Sequence, residues 1–332
     1  MTGRDLVLGT MRHEKMERAA WVPYACAHAG KLKGYTATEV LQDADKLVES
    51  LLEVNRLYRP DGQPVVFDIQ LEAEALGCKL LWADKSPPSV IDHPLAGKTE
   101  VPTAMPGPED GRLGMARKAM SRMKKEVGAG TALYGLVTGP FTLAAHLRGT
   151  DLFLDMILKA DYVKELLAYC FEVEKVVAGY YMDAGMDVIA AVDPMVSQIS
   201  PTHFKAFLGD GYKELFSFIR GRGSLSSLFV CGNASKNIEP MCLSGPDGVS
   251  IDENIKIAEA KKVTDSHNVC LGGNIPLSAV MLNGKEEDNT RAVAEILEAC
   301  GGKNLVVSPG CDMPYDMPVE NAIAAGRAVR GD

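Results

Sequence analysis

The sequence predicts a parallel α/β barrel of the TIM type, a (β/α)8 fold, on three observations. Eight short apolar runs recur along the chain, a longer stretch follows each one, and the 332 residues with 46% hydrophobic content can bury a full core. Strands covered on both faces read as continuous apolar runs, and eight β/α units close a barrel that commonly takes about 250 residues plus insertions. The chain is accordingly read as one domain, 1–332, with an irregular insertion around 84–111.

In order, the predicted strands are 21–27, 64–69, 132–137, 187–192, 228–231, 248–251, 268–272 and 304–308. Between the first two, Thr36-x-x-Glu39 has the form of a capping box ahead of a periodic segment that stops before Arg59-Pro60. Segment 84–111 holds many prolines and little period, which predicts a surface excursion, with a small hairpin as an option. The basic run Arg117, Lys118, Arg122, Lys124, Lys125 reads as the solvated face of a helix. Residues 152–182 predict two helices, with Asp151 as the N-cap candidate.

Composition excludes some functions. A formal net charge of −9 argues against nucleic acid and anionic membranes, both of which recruit clustered Lys and Arg. The opening MTGRDLVLGTMRHEKMERAAW mixes charged and apolar residues, unlike a signal peptide or a membrane span, so a cytoplasmic enzyme is expected. The eight cysteines are then expected to stay reduced, most of them as small buried hydrophobes. Cys170 and Cys300 fall at apolar helical phase, whereas Cys231 and Cys311 fall at strand ends.

Catalytic groups of this fold sit at the C-terminal strand ends and in the loops beyond them. The residues predicted there are His28, Asp68 with Glu72 and Glu74, Thr138-Gly139-Pro140, Asp193, Cys231 with Asn233, Asp252 with Glu253, Asn274, and Cys311 with Asp312. Cys231 and Cys311 can meet across the barrel top and offer two thiolates to zinc in an open, mixed-ligand site. His28, Glu74 and Asp252 are the available third ligands, Glu74 and His28 being preferred for reach. Two uncoordinated thiols, and carboxylates serving only as helix caps or supporting partners, are the competing readings. Gly139-Pro140-Phe141-Thr142 opens a helix whose N–H groups suit an anion, or is only a tight turn. Met195, Met313 and Met317 near strand ends suit a large flat ligand or adaptable packing.

Together, PVVFDIQLEAEALGCKL, LVTGPFTLAAHLRG, FVCGNASKNIEPM, GVSIDENI, LGGNIPLSAVML and SPGCDMPYDMPVENAIAA resemble the uroporphyrinogen decarboxylase superfamily, from about residue 5 to residue 330. The decarboxylases grip their substrate's carboxylates with an arginine-rich segment of the type RQAGRYLPEY. Here CAHAGKLKGY carries Lys31 and Lys33 and no arginine, and lysine lacks the planar fork that binds carboxylates bidentately. Asp68 does match the aspartate that orients pyrroles in those enzymes.

The corrinoid-dependent zinc methyltransferases are the more similar branch, through Glu72-Ala73-Glu74-Ala75-Leu76-Gly77 and Gly310-Cys311. That resemblance implies Zn2+ on Cys231, Cys311 and Glu74, and a partner corrinoid protein that carries cobalamin. It implies catalytic roles for His28, Glu74, Asp68 and Asp252, and substrate contacts from Glu72, Asn233, Asn274, Asp193 and Met195. Phe229 stands where the coenzyme M methyltransferases of the branch have the histidine of His-x-Cys, which favours transfer from a methyl ether, methylamine or betaine over the thiol-methylating version. Self-association is left open.

Overall fold

The computed structural model describes residues 1–332. Eight parallel strands form one curved sheet: β1 (Ala20–Trp21), β2 (Gly62–Val66), β3 (Ala132–Thr138), β4 (Val188–Val192), β5 (Leu225–Val230), β6 (Gly248–Ile251), β7 (Cys270–Ile275) and β8 (Leu305–Pro309). Neighbours in chain order pair from β2 through β8, and β1 pairs with β8, the arrangement of a TIM barrel. The remaining seam, between β1 and β2, is closed by Asp61. Its amide donates to the Trp21 carbonyl (2.9 Å) and its carboxylate accepts the Trp21 amide (2.8 Å). Arg18 neutralises that carboxylate through two bonds of 2.7 and 2.8 Å. One cluster of 95 buried apolar residues runs from Leu6 to Val329, so the first helix, every strand and the last helix share a core.

Strand boundaries differ from the periodicity where backbone chemistry intervenes. β1 is only two residues long, because Pro23 has no amide to donate and the chain leaves the ladder ahead of it. β7 runs to Ile275, three residues beyond the expected end, since Gly272 and Gly273 stay in register with Val306 and Val307. At Gly272 a Cβ would stand 2.4 Å from Ser250 Oγ, so glycine there serves close strand packing and not a turn.

The helices follow local signals. Thr36 and Glu39 exchange both capping-box bonds (3.1 and 2.9 Å). The periodic segment behind them is two helices, Ala37–Gln42 and Ala44–Tyr58, because Asp43 turns extended and caps the second through Asp45 and Lys46. Residues after Thr150 also form two helices, Asp151–Leu158 and Ala160–Asp183. Asp151 is the first helical residue and not the cap; Thr150 holds that position, without a side-chain bond. Within 84–111 there is no helix, and Ser89–Val90 pairs antiparallel with Leu80–Leu81. No helix is long and apolar enough to cross a membrane.

Candidate active site

Cys231 follows β5 and Cys311 follows β8, so both thiols stand at the C-terminal mouth. Their sulfurs lie 2.7 Å apart although 80 residues separate them in sequence. The approach depends on two turns. Gly232 adopts φ +89°, a left-handed conformation open to glycine, and its amide is held by the Asp252 carboxylate at 2.8 Å. Gly310 lies against the Glu253 backbone so closely that a Cβ would be 2.6 Å from its nitrogen. The Cys231 thiol is pushed well above its ordinary pKa, first by its hydrogen bond to the Cys311 sulfur, then by burial and by the negative charge of Cys311, Asp252 and Asp312.

Below the pair the barrel is aromatic. Phe229 projects two residues before Cys231, hence on the same face of β5. It packs against Tyr24 (centroids 5.2 Å) and edge-on to Phe67 (5.9 Å), and all three rings are buried.

Most of the other predicted site residues have their polar atoms turned toward protein. Asp252 spends one oxygen on Gly232 and the other on Asn254, so it builds the loop beside Cys231. Asn274 donates to the carbonyls of Asp252 (2.9 Å) and Ile255 (2.8 Å) and fixes that loop from β7. Asn233 is exposed and accepts from the Ser235 amide and hydroxyl, which folds its own turn. Asp312 accepts the Cys26 amide at 3.1 Å. Met195 is half-buried at the mouth after β4, its amide bonded to Thr142 Oγ1 at 3.2 Å, whereas Met313 and Met317 are buried in the core.

The helix that opens at Gly139-Pro140 already has its anion. Asp193, fully buried after β4, accepts the amides of Phe141 (3.0 Å) and Thr142 (2.8 Å), the Thr142 hydroxyl (2.6 Å) and the Tyr212 hydroxyl (2.6 Å). Gly139 is glycine because a Cβ there would lie 2.1 Å from the Asp193 Cβ.

Asp68, Glu72 and Glu74 diverge after β2. Glu72 is buried, accepts the amide and hydroxyl of Thr138 (3.2 and 2.5 Å), and has its carboxyl pushed up to about 7 by burial. Asp68 and Glu74 share Arg112, which gives one Nη to Asp68 (2.5 Å) and Nε to Glu74 (2.6 Å). Its guanidinium stacks over Trp82 at 4.7 Å. Sequence reasoning passed over Arg112, whose only local signal is its position between the proline-rich excursion and the helix Leu113–Glu126.

His28 is enclosed. Its Nδ1 faces the Tyr315 carbonyl (3.0 Å), an acceptor only, so Nδ1 carries the proton and Nε2 accepts from the Tyr58 hydroxyl (2.6 Å). Burial pushes its pKa down to about 4. Neither His28 nor Glu74 stands with the sulfurs, and no third His, Cys, Asp or Glu joins them in a metal-holding group. The donors present are two convergent thiols with carboxylates nearby. Their chemistry suits a thiophilic divalent cation as two of four ligands, the other positions being open to water or substrate.

The thiol pair stands at the C-terminal mouth of a TIM barrel, one sulfur after β5 and one after β8, the end at which enzymes of this fold carry their chemistry. Residues 2–331 match the family described as Uroporphyrinogen decarboxylase (URO-D), and the chain belongs to that family. The methylcobamide:CoM methyltransferase MtbA of Methanosarcina acetivorans is 26% identical over 313 residues, covering 93% of this chain and 91% of that protein. The methylcobamide:CoM methyltransferase MtaA of Methanosarcina barkeri (strain Fusaro) is 30% identical over 263 residues, covering 76% and 75%. A solved methyltransferase from Methanosarcina mazei superposes with a TM-score of 0.92 at 24% identity, covering 100% of this chain and 99% of the other, which bears on the fold.

Proposed function

We propose that this protein is a corrinoid-dependent methyltransferase that moves a methyl group from a small methylated substrate to the cob(I)alamin of a partner corrinoid protein. The convergence of Cys231 and Cys311 at 2.7 Å is the observation that carries the reading. The names of the two sequence relatives support the corrinoid half of it.

Cys231 and Cys311 would hold a zinc ion, which when bound supplies Lewis acidity toward the atom that gives up the methyl group. Asp252, Asn274 and Gly232 keep the Cys231 loop in place, so the sulfurs arrive without reorganisation. Phe229, Tyr24 and Phe67 give the substrate a dry apolar floor. Met195, in the turn after β4, would border the substrate. His28, Glu72 and Asp193 act on the scaffold, since their polar atoms are engaged inside it. The partner would reach the reaction from the open C-terminal mouth of the barrel.

A porphyrinogen substrate is disfavoured by Lys31 and Lys33. Lys31 is bonded to the carbonyls of Asp316 and Met317, and Lys33 pairs with Glu49 at 2.9 Å, so neither is free to hold substrate carboxylates. Asp68 is likewise committed to Arg112. A second reading, transfer from methylcobalamin to a thiol, is favoured by the coenzyme M specificity in the relatives' names.

The test incubates the purified protein with cob(I)alamin and, in turn, methoxyaromatics, methylamines and betaines, following the cobalt absorbance. A parallel arm uses methylcobalamin and thiols. Methylcobalamin formed from one donor class supports the first reading and its consumption by a thiol the second. Activity in neither arm, with uroporphyrinogen decarboxylated instead, overturns both.

A further inference from the structure

Six of the eight cysteines are buried in the core, and only Cys231 and Cys311 are partly exposed. These two are also in contact, at 2.7 Å against about 2.03–2.05 Å in a disulfide bond, so the sulfurs need travel less than about 1 Å to join. Each follows a different strand and adjoins a closely packed glycine, Gly232 on one side and Gly310 on the other.

We propose that Cys231 and Cys311 are a redox modification site, converting reversibly to an intramolecular disulfide by exchange with low-molecular-weight disulfides and thereby switching the barrel mouth off. One cysteine thiolate attacks a sulfur of the oxidant, expelling one thiol and leaving a mixed disulfide. The second cysteine then attacks the protein sulfur of that mixed disulfide and expels the other thiol. Two protein S–H bonds are lost, one S–S bond forms, and the oxidant leaves as two thiols carrying both electrons and both protons. A disulfide offers no thiolate, so oxidation and cation binding exclude one another. The disulfide rests on the geometry alone; its consequence for a cation rests on the function proposed above.

The experiment treats metal-free protein with glutathione disulfide at mildly alkaline pH over a long incubation, exchange running through whatever thiolate fraction is present. Thiols are then counted after denaturation and the peptides mapped. The expected result is the loss of two titratable thiols, a single cross-link between Cys231 and Cys311, and full recovery with dithiothreitol. Cys231→Ser and Cys311→Ser are each expected to give a glutathione adduct on the remaining thiol and no internal cross-link. Retention of all eight thiols, or a cross-link through any buried cysteine, overturns the proposal. Preloading with zinc is expected to slow thiol loss about tenfold or more. A disulfide that forms at the same rate with zinc present sustains the redox site and removes the zinc reading instead.

Discussion

Arg112→Leu tests how the loop after β2 is held. The guanidinium side chain is 9% exposed, and one of its partners, the Asp68 carboxylate, is fully buried. Leucine covers similar apolar surface but leaves Asp68 with the Gln70 amide at 2.9 Å as its only polar neighbour. Removing one member of a buried ion pair strands the other charge and costs about 3–5 kcal/mol. Glu74, with its side chain 26% exposed, recovers solvation and adds little to that loss. At roughly 2 °C per kcal/mol for a chain of this size, the melting midpoint should fall by roughly 6–10 °C. Urea unfolding and calorimetry measure both quantities. The double variant Asp68→Asn with Arg112→Leu removes the stranded charge and should regain about 2 kcal/mol or more, a coupling that independent sites do not show. A cost below about 1 kcal/mol for Arg112→Leu, or strict additivity in the cycle, would refute the argument.

Other perturbations separate the scaffold from the chemistry. Cys311→Ser should abolish methyl transfer and lower bound zinc from about one per chain to near zero, with the melting midpoint nearly unchanged; full turnover in this variant excludes the zinc reading. Gly139→Ala forces a methyl group into the Asp193 side chain and should destabilise by several kcal/mol, on the order of an overpacked core, detected as reduced soluble yield and a lower urea midpoint. Two buried groups give opposing pH dependences. The His28 pKa is held at about 4 against the usual 6.5, so the unfolded chain binds a proton that the folded one refuses, and stability is lost as pH falls through that window. Glu72 is pushed up to about 7 from 4.5, so the folded carboxyl keeps a proton that the unfolded one releases, and stability is lost as pH rises through 4.5 to 7. At about 1.4 kcal/mol per pH unit, each window carries about 3 kcal/mol. Stability against pH for His28→Gln and Glu72→Gln should flatten on the acid and alkaline sides respectively, and unchanged profiles would contradict the assignment.

The barrel and the location of its candidate site are legible in the order of residues alone. Strands buried on both faces must be continuous apolar runs, so their C-terminal ends can be read off, and Cys231, Asp252, Asn274 and Cys311 fall there by periodicity alone. Residue types that set backbone conformation were legible in the same way, as with Thr36 and Glu39 at a helix start. Which polar groups at the mouth remain available depends on long-range packing. Asp193 is consumed by the amides of a helix start 51 and 52 residues earlier, Asp68 and Glu74 by Arg112 from beyond a proline-rich excursion, and His28 by Tyr58 and the Tyr315 carbonyl. A strand end fixes where a side chain begins. The partners that satisfy it come from elements whose approach is set by global packing, and no local pattern encodes that approach.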